Sequence, residues 1–377
     1  MKKKLLAIYY RPPLLGLPQN SFGQYYILKV LETIYEIRTL SFQPPVDLNI
    51  SGDYLRPEFS RSKKLFNLFF KQRSPHLTHY FTNEMAQLYN NAIKEFEPDL
   101  IYVDNIVMMQ YPIKYKTSSK IWFFDDDSRL FNNKIRPKNN FIEKIRNTGL
   151  EKFELKAIEK SDKTFCITAE ETSLLRSKGF DNIYTLPYPI DNNIYFYNWE
   201  PLKDKFNVLF VGDFSHPPNR EAAKIITREF YPVLDKNDII ITIVGRNISK
   251  IRKYLKRCNN IEIFENTRDV REFYWKSSLF IAPIFSGAGM RIKILEAAAC
   301  GIPILMTDIA NLGINLSPEL AFFANSYKQM INTILSIKHM SDSDLVKIGK
   351  GASQAVIDKF GLEKMTSVYN DILGYND

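Results

Sequence analysis

Short apolar runs alternate along the chain with longer segments in which apolar residues recur every three to four positions. Most of the runs are short enough for one buried strand, and the longer segments suit amphipathic helices. Alternation of this kind is typical of parallel sheets covered by helices. The predicted strands are residues 4–10, 34–42, 98–103, 120–124, 163–168, 182–186, 207–211, 239–244, 261–264, 279–284 and 304–306.

The chain is longer than a single hydrophobic core normally organises. Its 377 residues therefore predict two domains. A proline-containing segment, residues 187–201, follows one of the predicted strands and suits a linker. We predict an α/β domain over residues 1–190, a second α/β domain over residues 191–360 and a final helical segment over residues 361–377.

The segment from Ser278 to Thr307 carries the most chemical information. An apolar run is followed by a loop of small residues, by a helical pattern and by a second apolar run. Gly301 suits the left-handed position that often ends a helix. The order strand, loop, helix, strand is the repeating unit of a parallel sheet covered by helices.

The loop and first helical turn of this segment suit a phosphorylated ligand. Gly287 and Gly289 would let a ligand approach the backbone closely, and the free N–H groups at a helix start favour an anion. Arg291 and Lys293 would add two cations, and Glu296 could accept hydrogen bonds from sugar hydroxyls. These features describe a nucleotide-sugar site. The alternative is a turn of small residues that only permits tight helix–sheet packing.

The longer pattern around the loop resembles a known signature. Residues 287–305 read GAGMRIKILEAAACGIPIL and are similar to the donor-binding motif of the family 4 retaining glycosyltransferases. The resemblance covers about residues 160–373 most clearly. It implies the GT-B architecture, in which two Rossmann-like domains face each other across a cleft and a C-terminal helix crosses back to the first domain.

The resemblance also implies roles for individual residues. Glu296 would hold the nucleotide ribose, whereas a second glutamate that many members carry is replaced by Ala288, which leaves the sugar undetermined. Arg291 and Lys293 would neutralise the leaving diphosphate, and both are predicted as catalytic residues. The other predicted donor-binding residues are Gly212, His216, Arg246, Val270, Gly287, Ala288, Gly289 and Met290.

Two features of the N-terminal half point to an acceptor. A loop rich in proline and glycine follows the first predicted strand. In the family that the sequence resembles, this loop commonly helps bind the acceptor. We therefore predict Gly16 on the acceptor side. The strand at 120–124 ends in three consecutive aspartates, at the strand end where α/β proteins bind ligands. We predict a catalytic role for Asp126 and an acceptor-side role for Asp127. The alternatives are a helix cap or a divalent-cation site.

Composition and charge narrow the possible partners. A net charge of +9 indicates an anionic partner. The basic, aromatic and apparently irregular segment 43–80 could contact an anionic membrane surface or form an ordinary half-buried helix. No nucleic-acid motif accompanies it, so no nucleic-acid partner is expected. Three widely spaced cysteines indicate reduced thiols and a cytoplasmic protein, without a metal site.

The expected reaction follows from the resemblance. A sugar would pass, with retention of anomeric configuration, from a UDP- or GDP-type nucleotide sugar to a glycan or lipid-linked acceptor in surface polysaccharide or glycoconjugate synthesis. No cofactor or metal is expected. Two alternatives remain open: a nucleotide-sugar epimerase of the same fold, and a non-catalytic subunit that binds nucleotide sugar or glycan. Contact with the inner face of the plasma membrane also remains open.

Overall fold

The structure of the protein is a computed structural model. It describes residues 2–10, 22–42, 51–54, 77, 80–115, 117–125, 128, 130–131, 141–202, 205–256, 258, 260–287 and 289–374. The chain divides into two compact units. The first contains residues 1–188 and 366–377, and the second contains residues 189–365.

The first unit is built on a parallel sheet of seven strands in the order β3-β2-β1-β4-β5-β6-β7. Apolar side chains on adjacent strands, such as Leu6, Ile101 and Phe123, form its buried core. Its strands are β1 (Lys3–Tyr9), β2 (Tyr35–Ser41), β3 (Ser51–Tyr54), β4 (Leu100–Asp104), β5 (Lys120–Asp125), β6 (Lys163–Cys166) and β7 (Ile183–Thr185). The helices described before residue 188 are α1 (Phe22–Ile34), α2 (Asn83–Phe96), α3 (Gln110–Lys114), α4 (Phe141–Glu159) and α5 (Ala169–Arg176).

The second unit is built on a parallel sheet of six strands in the order β10-β9-β8-β11-β12-β13. Its strands are β8 (Asn207–Asp213), β9 (Ile240–Arg246), β10 (Ile261–Glu265), β11 (Leu279–Ala282), β12 (Ile304–Met306) and β13 (Phe322–Phe323). The α-helices described after residue 188 are α6 (Pro217–Ile225), α7 (Tyr231–Leu234), α8 (Arg252–Leu255), α9 (Arg271–Trp275), α10 (Ile292–Cys300), α11 (Tyr327–Ile337), α12 (Asp342–Phe360) and α13 (Leu362–Leu373). A π-helical turn, Ile226–Phe230, joins α6 to α7.

Both sheets reverse their strand order at one point. In the second unit the reversal lies between β8 and β11, which are hydrogen-bonded neighbours although two strands separate them in sequence. Ligands of open α/β sheets bind outside the carboxyl ends of the strands at such a switch point. The loop after β8 and the loop after β11, which both carry predicted donor-binding residues, therefore start at the same place.

Several predicted element bounds were wrong. Strand β3 lies within the segment predicted to be irregular, and β13 and the helix α3 were not predicted. Strand β8 continues to Asp213, two residues past its predicted end. Strand β11 stops at Ala282, because Pro283 has no N–H to offer the sheet. No helix in the described part of the chain is both long and apolar enough to cross a bilayer.

Candidate functional site

Two glycines bring the carboxyl ends of β8 and β9 unusually close. Gly212 and Gly245 are register partners in the parallel pair. A Cβ atom added at Gly245 would lie 1.8 Å from the carbonyl oxygen of Gly212, which is far inside van der Waals contact. Only glycine therefore fits at position 245.

Lys293 brings a buried cation to the end of β8. It lies in the first turn of α10 and is 8% exposed. Its Nζ atom donates to the carbonyl oxygen of Val211 at 3.0 Å and to Oδ1 of Asn219 at 2.6 Å. The same atom lies 4.5 Å from the ring centroid of Phe210. An ammonium has three donors, so one N–H remains without a protein acceptor among the described residues and can serve an anion.

The environment of Lys293 shifts its protonation equilibrium. Burial, reinforced by the positive charge of Arg291, lowers the pKa of Lys293 from 10.5 to about 7, while the charge of Glu296 opposes the shift. Desolvation disfavours the charged form of a lysine. An anion bound beside the amine would favour the charged form again.

Arg291 organises the loop that precedes α10. Its guanidinium donates to the carbonyl oxygens of Gly289 and, at 2.7 Å, of Gly287. Both glycines have positive φ angles, 99° at Gly287 and 79° at Gly289, which side chains rarely tolerate. The loop carbonyls therefore turn toward the guanidinium. A Cβ atom at Gly287 would also lie 3.4 Å from Cγ of Pro218, so this loop packs against the start of α6.

Asp213 and Arg246 form an ion pair where β8 and β9 end. The Nη2 and Oδ2 atoms are 3.2 Å apart, and Asn247 and the backbone N–H of Ser215 donate to Oδ1 at 2.9 and 2.8 Å. Burial opposes ionisation of the carboxyl, yet the hydrogen bonds from Ser215 and Asn247 and the charge of Arg246 hold the pKa of Asp213 below its usual value. Arg246 thus lies next to the loop after β8.

Glu296 has protein partners that the sequence did not indicate. It is 5% exposed, and Tyr274 donates to its Oε2 atom at 3.0 Å. Tyr195 donates a further hydrogen bond to the carboxylate. Burial raises the pKa of Glu296 despite these hydrogen bonds and the charge of Lys293. Tyr274 belongs to α9, which begins directly after Val270, so Val270 and Glu296 are linked through this helix.

The remaining predicted residues of the second unit lie around the same loops. His216 is the exposed residue before α6, and Met290 is buried beside Arg291. Arg220, whose side chain could have served a phosphate, donates instead to the carbonyl oxygens of Phe214 and Ser215. The structure therefore brings together the loops after β8 and β11 with the starts of α6 and α10.

Four predicted site residues lie outside the described residues: Gly16, Asp126, Asp127 and Ala288. The neighbouring Asp125 is described, and it is a buried residue at the carboxyl end of β5. Ser128 donates to Oε1 of Glu154 at 2.6 Å. Buried Glu154 of α4 thus holds the chain that follows the aspartates, a contact that no sequence motif signals.

A family model matches the part of the chain that contains this site. Residues 205–339 match the family described as "Glycosyl transferases group 1". The matched range begins just before β8 and ends just after α11, so it includes both loops at the switch point. Arg291, Lys293 and Glu296 all lie within it.

One curated relative matches over a shorter region. It is an uncharacterized 44.6 kDa protein encoded in the cps region of Klebsiella pneumoniae, and it is 30% identical over 125 residues. The aligned region covers 29% of this chain and 32% of the relative. The chain thus aligns with about a third of the length of this relative.

Solved structures share the fold over nearly the whole chain, and three of them serve as examples. Sucrose-phosphate synthase from Thermosynechococcus elongatus has a TM-score of 0.78 at 12% identity, with 99% of this chain and 98% of that chain covered. Anabaena HepE in complex with UDP and glucose has a TM-score of 0.69 at 12% identity, with 99% of this chain and 100% of that chain covered. A glycosyltransferase from Rickettsia africae has a TM-score of 0.64 at 16% identity, covering both chains completely.

These findings define the fold of the chain and the family that residues 205–339 match. The predicted fold class, two Rossmann-like domains with parallel sheets, is confirmed and is that of the GT-B glycosyltransferases. Residues 205–339 match the group 1 glycosyltransferases, and the whole chain shares its fold with solved glycosyltransferases.

Proposed function

We propose that the protein transfers a sugar from a nucleotide-diphosphate sugar to a glycan or lipid-linked acceptor, with retention of anomeric configuration. The observation that carries the proposal is the position of Lys293. Its buried ammonium lies at the switch point of the second sheet, with one N–H still available. It also lies inside the region that matches the group 1 glycosyltransferases.

The protein's chemical task would be to stabilise the leaving group. As the bond between sugar and diphosphate breaks, negative charge grows on the diphosphate oxygens. Lys293 and the positive end of the α10 dipole would receive that charge from fixed positions, and preorganised charge of this kind is usually the largest single contribution to catalysis. Arg291 would contribute by holding the loop at Gly287 and Gly289 in shape and by adding positive charge.

The nature of the donor is also part of the proposal. A UDP- or GDP-type donor agrees with HepE, whose structure contains UDP and glucose. We propose a metal-independent reaction, because Lys293 and Arg291 supply the positive charge that a metal would otherwise provide. Residues around Val270 would receive the base, and Asp126 or Asp127 would orient the acceptor.

The acceptor would belong to surface polysaccharide synthesis. The support is the Klebsiella pneumoniae relative, which is encoded in a cps region. A lipid-linked acceptor would bring the protein to the inner face of the plasma membrane, and the excess of 51 basic over 42 acidic residues would favour that anionic surface.

The test is a calorimetric binding screen with UDP, GDP, ADP, TDP and CMP and their sugars. We expect one diphosphate to bind, and Lys293→Met to weaken its binding by about a hundredfold, which corresponds to a lost charge-assisted contact. Lys276→Met is the matched control, because Lys276 is exposed and pairs with Glu272 at the surface. Folded protein that binds none of these ligands would contradict the proposed donor site.

Transfer is tested separately from binding. The donor identified by the screen is incubated with extracted glycolipids, with and without EDTA, and the anomeric configuration of the product is assigned by NMR. A product with the donor's configuration, formed equally in EDTA, is expected. An inverted product would contradict retention, and loss of activity in EDTA would contradict metal independence. Binding without any transfer would indicate a non-catalytic subunit.

A further inference from the structure

Asn219 holds the amine of Lys293 in place, and both ends of its amide are committed. Its Oδ1 atom accepts from Nζ of Lys293 at 2.6 Å, and its Nδ2 atom donates to the carbonyl oxygen of Asp213 at 2.8 Å. The second bond fixes which end of the amide faces the lysine. The side chain thus bridges the first turn of α10 and the end of β8, although 74 residues separate it from Lys293.

Gly212 provides the space that Asn219 occupies. A Cβ atom at Gly212 would lie 3.1 Å from Cγ and 3.2 Å from Nδ2 of Asn219. These distances are tighter than ordinary van der Waals contact, so a side chain at position 212 would push the amide away from the lysine. The glycine at the end of β8 and the asparagine in α6 therefore form one unit with Lys293.

We propose that Asn219 is a positioning residue for donor binding, which orients the ammonium of Lys293 so that its remaining N–H points to the diphosphate. The inference rests on the proposed function of the site. A neutral acceptor suits this role. It fixes the direction of the ammonium but does not cancel its charge, whereas a carboxylate at the same position would compete with the diphosphate for that charge.

The experiment is a double-mutant cycle on Asn219 and Lys293. Binding of UDP and GDP is measured by calorimetry for wild type, Asn219→Ala, Lys293→Met and the double variant. We expect Asn219→Ala to weaken diphosphate binding about tenfold in the wild-type background. In the Lys293→Met background the same change should alter affinity by less than about twofold. The effects of mutations at two contacting residues are not additive when one residue acts through the other.

Two controls separate positioning from a general structural effect. Uridine and guanosine, measured by ligand-observed NMR, lack phosphate and should bind Asn219→Ala as they bind wild type. Asn237→Ala is the matched control variant, since its Nδ2 also donates to one backbone carbonyl, that of Val233, but on an exposed surface. It should leave diphosphate binding unchanged.

The variant Asn219→Asp allows a measurement, the pH dependence of diphosphate affinity, that would not change if Asn219 only stabilised the fold. A carboxylate beside Nζ favours the ammonium, so the pH at which diphosphate affinity falls should rise relative to wild type. Both proteins share the other charged or titratable groups around this site, which are Arg291, Glu296, Asp213, Arg246 and His216. This variant also keeps the test available if Asn219→Ala does not fold.

The outcomes distinguish failure of the proposed donor site from failure of the positioning role of Asn219. Lys293→Met with wild-type affinity would overturn the proposed donor site and the positioning role with it. A loss in Lys293→Met without a loss in Asn219→Ala would overturn the positioning role alone. Equal effects of Asn219→Ala in both backgrounds, or an unchanged pH profile in Asn219→Asp, would also overturn it.

Discussion

Lys293 is a cation whose charge depends on what lies beside it. Burial, the main cause, lowers the pKa of this amine to about 7, so near neutral pH the amine is only partly protonated. A bound diphosphate would stabilise the ammonium and raise the pKa. Binding should therefore be coupled to proton uptake at any pH between the two values.

We predict net uptake of protons when UDP or GDP binds at pH 8. Calorimetric titrations in two buffers with different ionisation enthalpies should give different apparent binding enthalpies, and the difference gives the number of protons. Affinity should fall as pH rises above about 7, because the free protein loses the ammonium. Lys293→Met should abolish the uptake. Identical enthalpies in both buffers for wild type would contradict this coupling.

The sequence predicted the charged residues of the candidate site but not the residues that contact their side chains. Arg291, Lys293 and Glu296 follow each other at short spacing within one helix start, so a local pattern contains them. Asn219 and Tyr274 contact the same groups from other elements, at separations of 74 and 22 residues. Only the strand order brings those elements together, and a local pattern carries no information about it.

At the scale of elements, the position of α10 depends on its packing against α12. Ser353 of α12 donates to the carbonyl oxygen of Ala299 at 2.8 Å. A Cβ atom at Gly349 would lie 2.0 Å from the carbonyl oxygen of Gly301. Gly301 caps α10 with a φ of 86°. The two helices therefore touch through backbone at this point, and α10 carries Lys293 at its other end.

We predict that Gly349→Ala destabilises the second unit by about 2 kcal/mol, a typical cost of forcing extra volume into a packed contact. Thermal unfolding followed by circular dichroism measures the change. Gly351→Ala is a matched control in the same helix, because its Cβ would meet only the flexible Cδ2 atom of Leu320. Alanine is also a better helix former than glycine by about 1 kcal/mol.

The control should therefore be neutral or slightly stabilising. Equal losses in the two variants would show that the close contact of α12 with α10 has no special importance. A lowered affinity for diphosphate in Gly349→Ala, with Gly351→Ala unchanged, would further show that this contact keeps the start of α10 in place.

The sequence predicted whether a segment is a strand or a helix better than it predicted the residue at which each element ends. The alternation of apolar runs and helical patterns correctly predicted most strands, and the final helical segment corresponds to α13. The errors have local causes. Strand β13 has only two residues, and β8 ends in a glycine and an aspartate that resemble a loop. Both residues remain in the sheet because they pair with β9, Gly212 with Gly245 and Asp213 with Arg246.

At the scale of the whole molecule, chain order and compact units do not coincide. Residues 366–377 group with residues 1–188 rather than with the unit that precedes them. Tyr369 donates to the carbonyl oxygen of Pro187, and Lys163 of β6 donates to that of Ile372 at 3.0 Å. Tyr369 and Leu373 are 1% and 0% exposed. The end of α13 thus completes the first unit.

We predict that a chain ending at Met365 has a destabilised first unit and an intact second unit. Burial of two large apolar side chains contributes about 4 kcal/mol, a large share of the stability of a typical domain. Hydrogen exchange followed by mass spectrometry should show faster exchange in peptides from β1 and β6, with β8 and β9 unchanged. Diphosphate binding, which we assign to the second unit, should persist.

A single exposed substitution in the same helix provides the comparison. Asp371→Ala changes an exposed residue of α13 and should leave exchange in both units as in wild type. If the truncated chain kept wild-type protection in β1 and β6, the contacts of Tyr369 and Leu373 would be dispensable. If β8 and β9 also lost protection, the two units would unfold as one, and the donor site would depend on the first unit for its stability.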